Sequence, residues 1–213
     1  MAITATSEGS TNFEPVPAGT FPARCFSMIH LGTMNENIMG TEKQLNKVRI
    51  SWELPTELKV FKEENGEQPL VISKDFTLSM NEKATLRKYM ESWRGKSYTE
   101  EEAKSVDITK LLGVPCLLSI IHKTSKNGKK YADISSVTTL PKGMEVPSQI
   151  NPTFELNYEN FDNVLFETLP DFIKDKMKKT PEYQKAINPE SENLEGTDDD
   201  VPYVDDEQDG LPF

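Results

Sequence analysis

Between Lys47 and Leu54 the side chains alternate without interruption: Val48, Ile50, Trp52 and Leu54 fall on one side, and Lys47, Arg49, Ser51 and Glu53 on the other. A repeat of two belongs to an extended strand with one buried face, and no helix satisfies it. The chain therefore has to build a sheet with at least one covered face, and other apolar runs must supply its partners. Thr20–Leu31 mixes aromatic and aliphatic residues with Arg24 and His30, and reads as a strand with one bulge that Gly32 ends. Leu70–Leu78 reads as a third strand, with Leu70, Ile72, Phe76 and Leu78 on one side and Lys74 interrupting that side. The intervening residues 55–69 hold Pro55, Asn65-Gly66 and Pro69 among charges, and read as a long hairpin connection with little structure.

The period then changes. Ser79 and Glu82 form a capping-box pattern ahead of Leu86, Tyr89, Met90 and Trp93 at helical spacing, and Gly95 closes that helix. Thr99 with Glu102 gives a second capping signal, and Asp107 precedes a short helical turn stopped by Gly113. Strand character returns in residues 115–123 and 131–140, joined by a hairpin tip at Asn127-Gly128. Three strands, a helical insert and two strands make a mostly β chain with α insertions, in the order of a five-stranded OB-like barrel. The expected organisation is a flexible N-terminal arm (1–18), the OB-like barrel (19–145), and a linker with a C-terminal helix packing on the barrel (146–189). A disordered acidic tail (190–213) follows. Pro147 and Pro152 mark the linker, and Pro170 suits the first position of the helix.

The net charge of −11 argues at first against a polyanionic partner. Its distribution reverses that inference. Ten of the 35 acidic residues lie between Glu190 and Phe213 with no basic residue, which leaves 25 against 24 basic ones in the body, a net charge of −1. An acidic, unpatterned end of this kind reads as an interaction tail, although an acidic run alone usually serves solubility. No apolar run approaches the ~20 residues of a membrane helix, and the N-terminus has no signal-peptide pattern, so a cytoplasmic protein without a membrane partner is expected. Cys25 and Cys116 sit in apolar runs without metal-ligand spacing and read as buried thiols. Two isolated histidines, with no P-loop, nucleophile elbow or His-Glu-x-x-His, give no basis for catalysis; neither a metal nor a cofactor is expected.

Binding chemistry is better represented. Lys123, Lys126, Lys129, Lys130 and Tyr131 gather four cations beside one ring at a hairpin tip. Cations that follow phosphates and a ring that stacks a base are what a sequence-independent single-strand binder requires, although lysines at a tip also serve solubility. Arg24 with Phe26, and Lys74 with Phe76, are further basic-aromatic pairs that suit either a strand of nucleic acid or the core. Arg49 suits a phosphate contact and, equally, a cross-strand ion pair. Trp52 and Trp93 continue apolar stripes and read as core. The tail ends in Asp205, Asp206, Asp209, Leu211, Pro212 and Phe213, an acidic stretch closed by an aromatic residue with a free carboxylate. Such an end suits an apolar pocket with a basic clamp on a partner protein.

That ending resembles the acidic C-terminal tip of bacterial single-stranded DNA-binding proteins, with Asp198–Pro202 as an internal copy. The body, from GTFPARCFSMIHLGT through KLLGVPC to YADISSVTTLPKG and LPDFIKDKMKKTPEYQ, resembles the OB-fold single-strand binders of bacteriophages over about residues 14–187. The chain has a helical insert and no glycine- and glutamine-rich linker, so the bacterial tetramer is not implied. The resemblance implies sequence-independent coating of single-stranded DNA in phage replication or recombination, in the host-cell cytoplasm. It also implies a tail that recruits replication or recombination proteins. The rival from another class is a recombination mediator or adaptor whose barrel binds protein rather than DNA.

Overall fold

In the computed structural model, which describes residues 14–188, the alternating segment lies inside a strand of 20 residues. β1 (Gly19–Ile38), β2 (Thr41–Val60) and β3 (Glu67–Thr77) form an antiparallel meander. β4 (Pro115–Thr124) and β5 (Lys130–Thr138) form a second hairpin, and β4 pairs with the start of β1. The order across this open sheet is β3-β2-β1-β4-β5, with β6 (Phe154–Leu156) running parallel to β1 at Ser27–Ile29. The described residues are thus mostly β with a few short helices.

Two boundaries differ from the sequence reading. Gly32 does not end β1; the strand runs on to a two-residue turn at Met39-Gly40, where both φ angles are positive (52° and 86°). Positive φ at both central positions is the geometry whose twist matches a hairpin, and Met is an unusual occupant, which hid the turn. The chain from Pro55 onward is also not a loop. β2 continues to Val60, absorbing Pro55 in an irregularity of pairing between Leu54 and Leu58. Pro69, facing Leu58, is tolerated because β3 has a neighbour on one side only.

The inner face of the sheet carries the larger core. Ala23, Cys25, Met28, Val48, Ile50, Trp52, Leu54, Ile72, Phe76, Leu118, Ile120, Ile134 and Val137 are buried there. α1 (Thr85–Arg94) covers them with Leu86, Met90 and Trp93, and Trp93 lies 5.9 Å from Trp52. No side chain caps α1: Ser79 Oγ accepts instead from the Asn81 backbone N–H, so the anticipated capping box is absent and the helix starts at Thr85. α2 (Glu100–Ala103) does have its box, with Thr99 and Glu102 each accepting the other's backbone N–H. Asp107 caps the 3-10 turn Ile108–Leu111, and Gly113 follows with φ 77°. The buried Arg87 ties α1 to its flanks, donating to Glu91, Glu100 and the Met80 and Tyr98 carbonyls.

A bulge at Phe26 and another at Leu31 let β1 serve both faces. Ile29 and Leu31 point outward into a second core with Leu156, Phe166, Leu169, Ile173 and Met177. Burial on both sides explains why Cys25–Leu31 reads as a near-continuous apolar run rather than an alternating one. The covering layer is three short helices, α3 (Asn163–Glu167), α4 (Asp171–Met177) and α5 (Pro181–Ile187), where one helix was expected. Thr180 precedes Pro181 and so leaves the helical region; its hydroxyl then accepts from Tyr183 N and starts a new helix. Gly32 lets this layer approach: at φ 90°, a Cβ there would meet Thr180 Oγ1 at 2.6 Å. Residues 146–151 do not leave the sheet as a free linker. Arg24 donates to the Gly113, Val146 and Pro147 carbonyls, and the fully buried Glu53 accepts from the Ile150 and Asn151 backbone N–H groups and Asn151 Nδ2.

The N-terminal segment holds contacts from Glu14 onward: Glu14 lies 3.4 Å from Lys59, and the Val16 carbonyl is hydrogen-bonded to His122. The rest of the proposed arm, residues 1–13, and the proposed acidic tail with Asp205, Asp206, Asp209, Leu211, Pro212 and Phe213 lie outside the described residues. No helix among the described residues is long and apolar enough to cross a membrane.

Candidate nucleic-acid interface

The order of the open sheet leaves β3 at one edge and β5 at the other, and part of β3 lies in contact with part of β5. Lys74 on β3 spans the gap, with its ammonium 2.5 Å from Asp133 and 3.0 Å from the Ile134 carbonyl. Asp133 also receives Lys123 at 2.5 Å. Burial raises the carboxyl's pKa, but hydrogen bonds from Lys123 and Lys74 and their charges outweigh it and leave it below the usual carboxylate range. Lys74 and Lys123, both read from the sequence as phosphate contacts, therefore already hold a carboxylate.

Beyond this bridge the two edges diverge into a groove of about 840 Å³ between the β2–β3 and β4–β5 hairpins. Its lining includes Lys59, Phe61, Leu70, Lys129, Lys130 and Tyr131. The tight turn that presents the lysines is held by Ser125, whose carbonyl accepts from Gly128 N and whose hydroxyl accepts from Lys129 N, with Gly128 at φ 76°. Lys126, Lys129 and Lys130 are exposed, and their ammonium groups make no ion pair among the described residues. Tyr131 (43% exposed) and Phe61 (49%) both offer ring surface to solvent. The groove thus combines free cations with two accessible rings.

The remaining residues singled out from sequence are placed elsewhere or otherwise engaged. Phe76 is buried at 3% exposure with Tyr89 edge-on at 5.0 Å, so it offers no face to a base. Phe26 packs edge-on against Phe154 in the outer layer, and Arg24 spends its guanidinium on three backbone carbonyls. Arg49 lines the groove but is paired with Asp75 at 2.5 Å and lies over the Phe172 ring at 5.5 Å. The cross-strand ion pair is the second of the two roles open to it, made with Asp75 directly opposite on β3. Lys59 and Phe61 were missed because Pro55 and Pro69 disguised their segment as a loop. The signal that would have found Lys59 is the alternation Glu57-Leu58-Lys59-Val60, whereas Phe61 breaks that alternation just past the end of β2.

Among the described residues, no group of three or more His, Cys, Asp or Glu is placed to hold a metal ion. Burial pushes the Cys25 thiol up to about 12 and raises Cys116 as well, so both are inert at neutral pH. No protein-family model matches this chain, and no curated protein matches it.

Proposed function

We propose that this chain binds single-stranded DNA without sequence preference, along the groove between the β2–β3 and β4–β5 hairpins of an OB-like barrel. The observation that supports this most is the juxtaposition of unpaired Lys129 and Lys130 with the exposed rings of Tyr131 and Phe61 in one concavity. Lysines there meet phosphates, and each stacked base adds about 1–3 kcal/mol irrespective of its identity. The groove lies beside the hairpin joining the fourth and fifth strands, where OB barrels hold oligonucleotides, and the Lys74 bridge between β3 and β5 favours a closed sheet. The role is coating of exposed strands during phage replication or recombination, with no catalytic step. The acidic end, residues 190–213, recruits replication or recombination proteins.

The adaptor reading rests on a different observation. Leu58, Val60 and Val71 expose 41–49% of their surface beside the same groove and would suit an apolar protein surface. Fluorescence anisotropy with a labelled unstructured oligonucleotide and unlabelled duplex competitor separates the two readings. Binding that duplex competes for weakly supports the single-strand role; no binding at low salt leaves the adaptor.

A further inference from the structure

A second cleft, of about 720 Å³, lies at the opposite end of β3. It is enclosed by the turn-proximal part of the β1–β2 hairpin (Lys43, Lys47), the last residues of β3 (Lys74–Thr77) and the turn into α1 (Ser79–Thr85, with Lys83). Four lysines and one carboxylate, Asp75, are among its lining residues. That carboxylate is already held by Arg49 at 2.5 Å and Lys176 at 3.0 Å. Burial raises its pKa, but those two partners outweigh burial and keep it ionised below the ordinary range. Lys47 is paired with Glu36 and Lys74 with Asp133, whereas the exposed Lys43 and Lys83 make no ion pair among the described residues. Two cations at the cleft, Lys43 and Lys83, are therefore left without a salt-bridge partner among the described residues.

Its lining also has a chemical character distinct from the first groove. Thr77, Ser79 and Asn81 add polar side chains, and the one ring, Phe76, is buried. A surface with cations and small polar groups but no accessible ring recognises phosphate and cannot stack a base. The two concavities share a wall: β3 lines the first with Gln68–Ser73 and the second with Lys74–Thr77. The 11 residues of β3 span roughly 33 Å at ~3.3 Å per residue.

We propose that the strand held by Tyr131 and Lys129 continues along β3 into this second cleft, where Lys43 and Lys83 hold its phosphodiester groups. The inference rests on the single-strand reading and adds the path and the division of labour: bases stack at one end, and phosphates alone are gripped at the other. The experiment uses the full chain and an unstructured oligonucleotide of about 16 nucleotides, the upper end of what one such domain covers. Affinity is measured over a salt series for the wild type, Lys43→Ala/Lys83→Ala and Lys129→Ala/Lys130→Ala. Stoichiometry is taken from titration at low salt.

One strand per chain is expected. Each double variant should lower the magnitude of the log-log salt slope by about 1.4, at ~0.7 per single-strand phosphate. Combining the two pairs should lower it by about twice that amount. An unchanged slope for Lys43→Ala/Lys83→Ala beside a reduced one for Lys129→Ala/Lys130→Ala would overturn this path while leaving the groove intact. Two strands per chain would overturn it as well, by making the clefts independent. A wild type that fails to bind would remove both the path and the single-strand reading. Lys43 and Lys83 are exposed and unpaired, so their replacement leaves folding undisturbed.

Discussion

Lys74 crosses from β3 to Asp133 on β5, and this one ion pair joins the two edges of the sheet while withholding a cation from any bound polyanion. Lys123 shares the same carboxylate. Asp133→Asn should therefore act in two directions. Stability falls by about 1–3 kcal/mol, as a partly buried charged hydrogen-bond partner is lost. Single-strand affinity at low salt rises, because two ammonium groups are released. Urea denaturation and anisotropy on the same preparation check the pair of effects, and a fall in both quantities would contradict it.

The same carboxylate predicts an acid dependence. Its folded-state pKa is depressed, so its contribution to stability is complete above the unfolded value of about 4 and disappears as pH falls through the lower folded value. Comparing wild type with Asp133→Asn in urea from pH 6 to pH 2.5 should show the gap between them closing only below about pH 4. A gap that closed between pH 5 and 6 would point to another group.

Gly32 is the hinge of contact between β1 and the outer helices. A Cβ at this position would stand 2.6 Å from Thr180 Oγ1 and 2.9 Å from Glu182 Oε2, and its φ of 90° strains any L side chain. Gly32→Ala should cost about 1–3 kcal/mol. The loss should concentrate where Glu182 accepts the Thr33 backbone N–H and hydroxyl. Hydrogen exchange checks this: residues 163–187 should lose protection ahead of β2 and β4.

Glu53 is a buried carboxylate whose three donors all come from residues 150 and 151. Glu53→Ala strands those donors and should destabilise by about 1–3 kcal/mol. It should also render the 146–151 segment sensitive to limited proteolysis. Unchanged cleavage there would show that Arg24 alone suffices to hold it.

Residues 190–213 contribute ten negative charges to a body of net charge −1. Coulomb attraction to the unpaired lysines would make this segment compete with DNA, and salt would screen the competition. Deleting it should tighten single-strand binding at low salt and leave binding near 0.5 M salt unchanged. Equal affinities at low salt would remove the competition.

The inner face of the sheet was legible because it obeys simple periodicity. Val48, Ile50, Trp52 and Leu54 all lie in the core where their alternation put them, and Thr99 with Glu102 makes its reciprocal cap. Legibility failed where tertiary contact replaced local chemistry. Gly32 looked like a stop because the helix that needs its bare backbone is about 150 residues away. Met39 took the first position of a hairpin turn, ahead of Gly40, where Asn, Asp or Gly is usual. Glu53 looked solvent-facing because its partners are the backbone amides of a remote segment, which no side-chain pattern records. At the site, the hairpin tip could be read from Asn127-Gly128 and its lysines. That Lys74 and Lys123 share the one carboxylate of Asp133, and that Phe61 lines the same groove as Tyr131, depends on how β3 and β5 come together.

The most direct test is the response of single-strand affinity to the two kinds of side chain in the first groove. Tyr131→Ala should weaken binding by about 1–3 kcal/mol at every salt concentration with the slope preserved, since stacking carries no counterion term. Lys129→Ala/Lys130→Ala should flatten the slope, as expected for lost phosphate contacts. Wild-type affinity and slope in both variants would contradict the assignment of this groove to nucleic acid.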